Sequence, residues 1–134
     1  MNVAVLGASN KPERYSFQAV KLLVEKGHEV FPVNPVLATV DGIPVFKQLA
    51  DIPVPIHTIT MYLGSERSTE LAAAILAARP QRVIFNPGTE NSDLAQRLQA
   101  AHIEAWNACT LVLLRTGQFD PATPPADSSD SPTQ

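Results

Sequence analysis

The chain contains a single cysteine, Cys109, and therefore cannot form a disulfide within itself. It has no apolar run long enough to cross a membrane. No basic segment precedes its first apolar residues, so we expect no signal peptide. A formal net charge of −3 provides no long-range attraction for nucleic acid. These absences predict a cytoplasmic protein that binds neither membranes nor nucleic acids.

What the chain does contain is typical of one folded domain. Its 134 residues are 45% hydrophobic and 17% charged, which is an ordinary globular composition with enough apolar residues for a core. From Gln118 onward the sequence becomes rich in Pro, Ser, Thr and Asp. We therefore predict a folded domain over residues 1–117 and a disordered tail over residues 118–134.

Strand and helix patterns alternate along the domain. The predicted strands cover residues 2–6, 29–33, 56–61, 82–85 and 103–106. The predicted helices cover about 16–26, 65–78, 92–101 and 110–114, with Ser16, Ser65 and either Asn91 or Ser92 as N-caps and Gly27 after the first helix. Strand–helix–strand units almost always close right-handed and parallel. The pattern predicts a doubly wound, Rossmann-like α/β domain with a mostly parallel five-stranded sheet.

The loop after the first strand is the leading candidate for a ligand site. Gly7 permits a tight turn, Ser9 carries a hydroxyl donor, and Lys11 and Arg14 are cations. A helix N-terminus behind such a loop favours an anion, and an arginine can bind two oxygens of one phosphate. The alternative is that Gly7 only turns the chain while Arg14 is solvated. The first βα loop is the usual ligand site of doubly wound folds, which favours a bound anion.

Missing residues narrow the identity of that anion. The dinucleotide fingerprint needs glycine at two positions that here hold Ser9 and Pro12, and no Gly-Lys-Ser/Thr phosphate-loop motif follows. An NAD site also places an acid at the end of the second strand, where this chain has Asn34. An asparagine does not repel a phosphorylated ribose as a carboxylate would. This argues against NAD and permits a phosphorylated ribose, although a simple turn at Asn34–Pro35 explains the same residues.

Five short motifs occur in a fixed order along the chain. They are Val5-Leu6-Gly7-Ala8-Ser9, Arg14-Tyr15-Ser16, Val33-Asn34-Pro35, Gly42-Ile43-Pro44-Val45-Phe46 and Asn86-Pro87-Gly88-Thr89-Glu90-Asn91. Together they resemble the small stand-alone CoA-binding domain family, which is similar to the N-terminal domain of the succinyl-CoA synthetase α subunit. The resemblance covers residues 1–117. It implies a Rossmann-like domain that holds coenzyme A or an acyl-CoA, its small-molecule ligand, at the carboxyl ends of the strands.

The resemblance also implies which residues bind that ligand. The Gly7–Ser9 turn would lie against the pyrophosphate, Val33–Pro35 would line the adenosine side, and Met61–Leu63 would flank adenine and pantetheine. The complete predicted set is Gly7, Ala8, Ser9, Lys11, Arg14, Tyr15, Ser16, Val33, Asn34, Pro35, Met61, Tyr62, Leu63 and Asn86. The synthetase has a lysine shortly after its Val-Thr-Pro, and residues 36–40 contain none. The 3′-phosphate contact is then expected to fall to Lys11 or Arg14.

Several of these residues have a second interpretation. Met61 and Tyr62 suit a flat adenine face, but such residues more commonly pack in a core. The polar loop over residues 86–91 suits either substrate contacts or helix capping. A family resemblance places a cysteine near Cys109, where a thiolate would suit acyl transfer or a mixed disulfide, whereas a lone cysteine in an apolar context is more often buried packing.

We predict a binding or sensing module without chemistry of its own, because no nucleophile–base pair is visible. The alternatives are a small acyl-CoA-dependent enzyme or redox protein that uses Cys109 or Glu90, and a vestigial NAD(P)-binding domain. We assign no catalytic residue. The three histidines, His28, His57 and His102, show no metal-ligand spacing, so we assign no metal site either.

Overall fold

The computed structural model describes residues 1–120, which form seven strands and five α-helices. The strands are β1 (Asn2–Leu6), β2 (Glu29–Val33), β3 (Thr39–Val40), β4 (Ile43–Pro44), β5 (Thr58–Met61), β6 (Arg82–Phe85) and β7 (Glu104–Asn107). The helices are α1 (Tyr15–Glu25), α2 (Ser65–Glu70), α3 (Ala72–Ala78), α4 (Ser92–Ala100) and α5 (Thr110–Arg115), with a 3₁₀ turn at Leu49–Asp51. None of the helices described is long and apolar enough to cross a membrane.

Five of the strands form one parallel sheet in the order β2-β1-β5-β6-β7. One further parallel bridge, between Val33 and Phe46, adds a single residue at the outer edge of β2. With Phe46 counted as the remnant of a strand, the order follows that of a Rossmann fold, and it reverses between β1 and β5. The predicted doubly wound, parallel five-stranded architecture is confirmed.

The central strand β1 is buried on both faces, which explains its continuous apolar sequence. Val3 and Val5 pack in one cluster with residues of α1 and α5, such as Val20 and Leu114. Ala4 and Leu6 point to the other face and pack in a second cluster with residues of α3 and α4. The alternation of side chains along a strand therefore builds two cores from one segment.

The bounds of β2 and β6 agree with the sequence prediction, and Gly27 follows α1 at φ +90°. The predicted caps of the first two helices are wrong. Helix α1 begins at Tyr15 after Arg14, and buried Ser16 lies inside the first turn. Helix α2 begins at Ser65 itself, after Gly64. A serine in the first turn resembles a cap in sequence, since both precede the apolar positions of the helix.

One other helix prediction is wrong, and the structure decides between the two caps considered for α4. The single helix expected over residues 65–78 is divided at Leu71, whose amide is shared between the carbonyls of Arg67 and Ser68 at 3.3 and 3.1 Å. Such sharing tightens the last turn of a helix. Of the two caps considered for α4, Asn91 is the cap, because its side-chain oxygen accepts a hydrogen bond from the Leu94 amide at 3.1 Å.

The predicted tail begins too early, because Phe119 is only 1% exposed and belongs to a core cluster. The guanidinium of Arg82 lies 4.6 Å from both the Phe119 and the Trp106 ring centroids. Its Nη1 donates a hydrogen bond to the Phe119 carbonyl at 2.8 Å. Burial lowers the pKa of Arg82, while the carboxylates of Glu104 and Asp120 oppose the shift. The rest of the predicted tail, residues 121–134, lies outside the described residues.

Replacement of the Phe119 side chain tests whether residues after the predicted domain boundary at residue 117 stabilise the domain. We expect Phe119→Ala to lower the free energy of unfolding by about 3 kcal/mol, since a large buried ring is lost. The matched control is Val112→Ala on the exposed side of α5, for which we expect a change within about 0.5 kcal/mol. Urea denaturation followed by circular dichroism measures both. Equal stabilities for the two variants would show that Phe119 contributes nothing to the fold.

Candidate functional site

A cavity of about 580 Å³ opens at the carboxyl ends of β2, β1 and β5, beside the point where the strand order reverses. This is the position at which open α/β sheets bind ligands, and the volume lies in the range of small-molecule sites. The residues that line it are Leu6, Gly7, Ala8, Ser9, Asn10, Lys11, Arg14, Val33, Asn34, Pro35, Val36, Leu37, Lys47, Gln48, Leu49, Ala50, Leu63, Arg67, Leu71 and Ala74.

The charges that line the cavity are all positive. Lys11 and Arg14 come from the β1–α1 loop, Lys47 follows Phe46, and Arg67 lies on α2. No aspartate or glutamate among residues 1–120 lines the cavity, although the whole chain carries 13 acidic and 10 basic residues. A local excess of cations in a net-negative protein concentrates anions at this site.

Gly7 is required by the close approach of two loops. It has φ +91°, and an added Cβ would lie 2.9 Å from Cδ2 of Leu63 and 3.1 Å from the carbonyl carbon of Tyr62. A side chain at this position would therefore force the end of β1 away from the residues that follow β5. The glycine therefore permits the close approach of two residues that line the cavity, Gly7 and Leu63.

The backbone of the same loop is fastened to β2. The amides of Gly7 and Ala8 both donate to the carbonyl of Val33, at 3.2 and 3.1 Å. These two amides hold the loop in place and are not free to bind a ligand. Ser9 Oγ accepts a hydrogen bond from the Lys11 amide at 3.1 Å. Because that bond uses only the oxygen, the hydroxyl proton of Ser9 is available to an anion.

Asn34 connects the loop at the end of β2 with the loop at the end of β1. Its Nδ2 donates to the carbonyl of Ala8 at 2.9 Å. Its Oδ1 accepts from the amides of Val36 and Leu37 at 2.8 and 3.0 Å. Aspartate lacks the amide donor that this connection needs, which gives a structural reason for asparagine here.

The structure brings nine of the fourteen predicted ligand-binding residues together around the cavity. These are Gly7, Ala8, Ser9, Lys11, Arg14, Val33, Asn34, Pro35 and Leu63. The other five, Tyr15, Ser16, Met61, Tyr62 and Asn86, do not line it. Tyr15 is 70% exposed. Met61 is fully buried in the core, which agrees with the interpretation of Met61 as a packing residue.

Asn86 and Tyr62 belong to a buried polar network next to the cavity. Asn86 Nδ2 donates to Thr60 Oγ1 and to the carbonyl of Met61, both at 2.8 Å, and its Oδ1 accepts from the Thr110 amide at 2.8 Å. The hydroxyls of Thr60 and Thr110 lie 2.7 Å apart. Burial raises the pKa of Tyr62 to about 12, opposed by hydrogen bonds to these two threonines. The network ties β5, β6 and α5 together, so Asn86 serves the fold.

Sequence reasoning missed two cations of the cavity, Lys47 and Arg67. For Lys47 a signal existed, since it directly follows the Gly42–Phe46 motif, which continues the sheet edge. Arg67 lies in a polar helical segment, where nothing distinguishes an arginine that faces a cavity from a solvated one. The apolar floor, formed in part by Leu49, Leu71 and Ala74, was also missed because its members come from segments that lie apart in the sequence.

The residues considered for catalysis lie outside the cavity. Cys109 is half-buried and precedes α5, a helix of six residues. Glu90 is exposed and its Oε1 accepts a hydrogen bond from the Gly88 amide at 3.0 Å. Within residues 1–120, no group of three His, Cys, Asp or Glu side chains is arranged to hold a metal ion.

Fold and site together define a class: a Rossmann-like domain with a cationic cavity at the carboxyl ends of its parallel strands. Comparison with known families gives the particular one. The family described as CoA binding domain matches residues 1–115, nearly all of the part that the structure describes. The chain belongs to this CoA-binding domain family.

Individual proteins are similar to this chain in sequence or in fold. The chain is 28% identical over 97 residues to the uncharacterized protein YneT of Bacillus subtilis, a match that covers 72% of each chain. A solved structure of an uncharacterized protein has 35% identity and a TM-score of 0.83, covering 88% of this chain and 97% of its own. A dinucleotide-forming acetyl-coenzyme A synthetase of Ca. Korarchaeum cryptofilum has a TM-score of 0.70 at 19% identity, covering 80% of this chain and 25% of its own. That last likeness is one of fold alone.

The contact around Gly7 can be tested against a second glycine. Gly88 has nearly the same φ, +89°, but an added Cβ there would meet nothing within 4 Å. We expect Gly88→Ala to lower the free energy of unfolding by about 1 kcal/mol, the backbone cost alone. Gly7→Ala should cost at least about 1 kcal/mol more, because its methyl group also collides with the chain after β5.

Urea denaturation followed by Trp106 fluorescence measures both alanine variants. Equal losses of stability would contradict the close approach between the loops at the ends of β1 and β5.

Proposed function

We propose that the protein binds coenzyme A or an acyl-CoA in this cavity and acts as a binding or sensing module without chemistry of its own. The observation that carries the proposal is the charge of the cavity: four cations line it, and no acidic residue of the described part of the chain does. CoA is a strongly anionic ligand with a pyrophosphate and a phosphorylated ribose. Membership of the CoA-binding domain family supports the same ligand.

The pyrophosphate is assigned to the β1–α1 loop. Lys11 and Arg14 lie on this loop and line the cavity, immediately before α1. The N-terminal amides of a helix and its dipole favour an anion at that place, and Arg14 can bind two phosphate oxygens at once. The hydroxyl of Ser9, held by the Lys11 amide, adds a neutral donor.

The uncharged part of the ligand is assigned to the apolar floor of the cavity. Leu6 and Leu63 lie at the ends of β1 and β5, and Leu49, Leu71 and Ala74 complete the floor. Such a surface suits the adenine ring and the hydrocarbon parts of pantetheine, which lose contact with water on binding. A site with cations at its rim and leucines below therefore fits both halves of the molecule.

The alternatives have less support in the structure. NAD would need an acid for its ribose, and Asn34 at this place is bound to three backbone groups. An acyl-transfer or redox role would need a reactive group at the ligand, whereas neither Cys109 nor Glu90 lines the cavity. These positions favour binding without catalysis.

Titration calorimetry with CoA, acetyl-CoA, NAD and NADP tests the proposal. We expect binding of the CoA species and none of the pyridine dinucleotides. Arg14→Ala should weaken CoA binding about tenfold, as expected for one lost charge-assisted contact to phosphate. Arg97→Ala, an exposed arginine on α4 outside the cavity, is the control and should bind like the parent.

Two results would overturn the proposal. The first is binding of NADP in the absence of binding of either CoA species. The second is CoA binding that Arg14→Ala and Arg97→Ala affect equally, since the ligand would then lie elsewhere on the molecule.

A further inference from the structure

Lys47 leaves the sheet edge beside the end of β2. The amide of Phe46 donates to the carbonyl of Pro32 at 2.9 Å, and the carbonyl of Phe46 accepts from the amide of Asn34 at 3.0 Å. Phe46 is thereby paired in parallel with Val33. The next residue, Lys47, follows at the level of Asn34, on the carboxyl side of the sheet, and lines the cavity.

The end of β2 is where the ribose of a nucleotide lies in doubly wound folds. Here that place is formed by residues 33–35, which line the same cavity. The ribose of CoA differs from that of dephospho-CoA by a single phosphate on its 3′ oxygen. If the ribose lies at β2, a cation within reach of that phosphate would add a charge-assisted contact that dephospho-CoA cannot make.

The other polar groups of the cavity are placed for different contacts. The amide of Asn34 is bound to backbone groups of both adjoining loops. Lys11 and Arg14 lie on the β1–α1 loop, next to the assigned pyrophosphate. Arg67 lies on α2, which follows β5, and β5 is on the opposite side of β1 from β2. Lys47 is the cation that follows the β2 edge directly.

The ammonium group of Lys47 is also available to bind a phosphate. The one imidazole–carboxylate or amine–carboxylate contact within residues 1–120 joins His28 and Asp120, at the other end of the sheet, so no described carboxylate lies within 4.0 Å of the Lys47 ammonium. Its side chain is exposed at the cavity rim. A lysine ammonium is a compact charge on a flexible stem, which suits a terminal phosphate that needs no bidentate partner.

We propose that Lys47, rather than Lys11 or Arg14, binds the 3′-phosphate and makes the site select CoA over dephospho-CoA. This inference rests on the proposed function, because it assigns one phosphate of the same ligand. It makes Lys47 a specificity-determining residue: its effect depends on whether the ribose carries the 3′-phosphate. The cations of the β1–α1 loop, by contrast, contact the part that both ligands share.

The test is a titration of CoA and dephospho-CoA into the parent protein and three variants. Lys47→Gln should lower the affinity for CoA about tenfold and leave the affinity for dephospho-CoA unchanged. Lys11→Gln should weaken both ligands by the same factor. Lys21→Gln, on the exposed face of α1 outside the cavity, is the control and should change neither. Circular dichroism checks that each variant is folded, as expected for an exposed lysine.

The outcomes separate the inference from the proposed function. If the parent binds CoA and dephospho-CoA with equal affinity, the inference alone is overturned. The same holds if Lys47→Gln lowers the affinity for both ligands equally, or lowers neither affinity. If the parent binds neither ligand, the proposed function fails and the assignment of Lys47 fails with it.

Discussion

The close approach of Gly7 to the chain at Tyr62 and Leu63 is the constraint on which the cavity depends. It brings the end of β1 against the residues after β5, at the point where the sheet order reverses. The loop is then fixed from the other side by the carbonyl of Val33, which accepts from the amides of Gly7 and Ala8. Three neighbouring strands therefore meet at one loop, and the cavity is formed where they meet.

This arrangement changes the role of the loop. In many phosphate-binding loops the backbone amides face the ligand. Here two of those amides hold the loop against β2, so side chains must supply most of the attraction for an anion. That accounts for the distribution of charge: cations from the loop, from α2 and from the segment after Phe46 converge on the cavity. The net charge of the chain, −3, gives no indication of this local excess.

Much of the fold could be predicted from the sequence because its signals are local. The continuous apolar run in β1, the bounds of β2 and β6, and the glycine after α1 are each explained by residues within one element. Cavity residues near a strand end, such as Gly7 and Asn34, could also be predicted from the sequence, since the carboxyl ends of parallel strands share one edge.

The remaining features depend on contacts between distant segments. Phe119 is buried because it packs on His28 and Arg82. The polar composition of the residues around Phe119 gives no sign of these contacts. Asn86 appeared as a ligand residue, yet its amide joins Thr60 and Thr110 from two other elements. Met61 is the last residue of β5, and its side chain packs in the core. Its position at a strand end was therefore not enough to make it a cavity residue. Lys47 was missed because its neighbour Phe46 is held beside β2 by a one-residue bridge, which leaves little signal in the sequence.

We have proposed that the cavity binds CoA in preference to pyridine dinucleotides. Native mass spectrometry of the protein in an equimolar mixture of CoA, NAD and NADP tests this claim most directly, because all three compete for the same protein. We expect one bound molecule with the mass of CoA. A bound molecule with the mass of NAD or NADP in its place would contradict it.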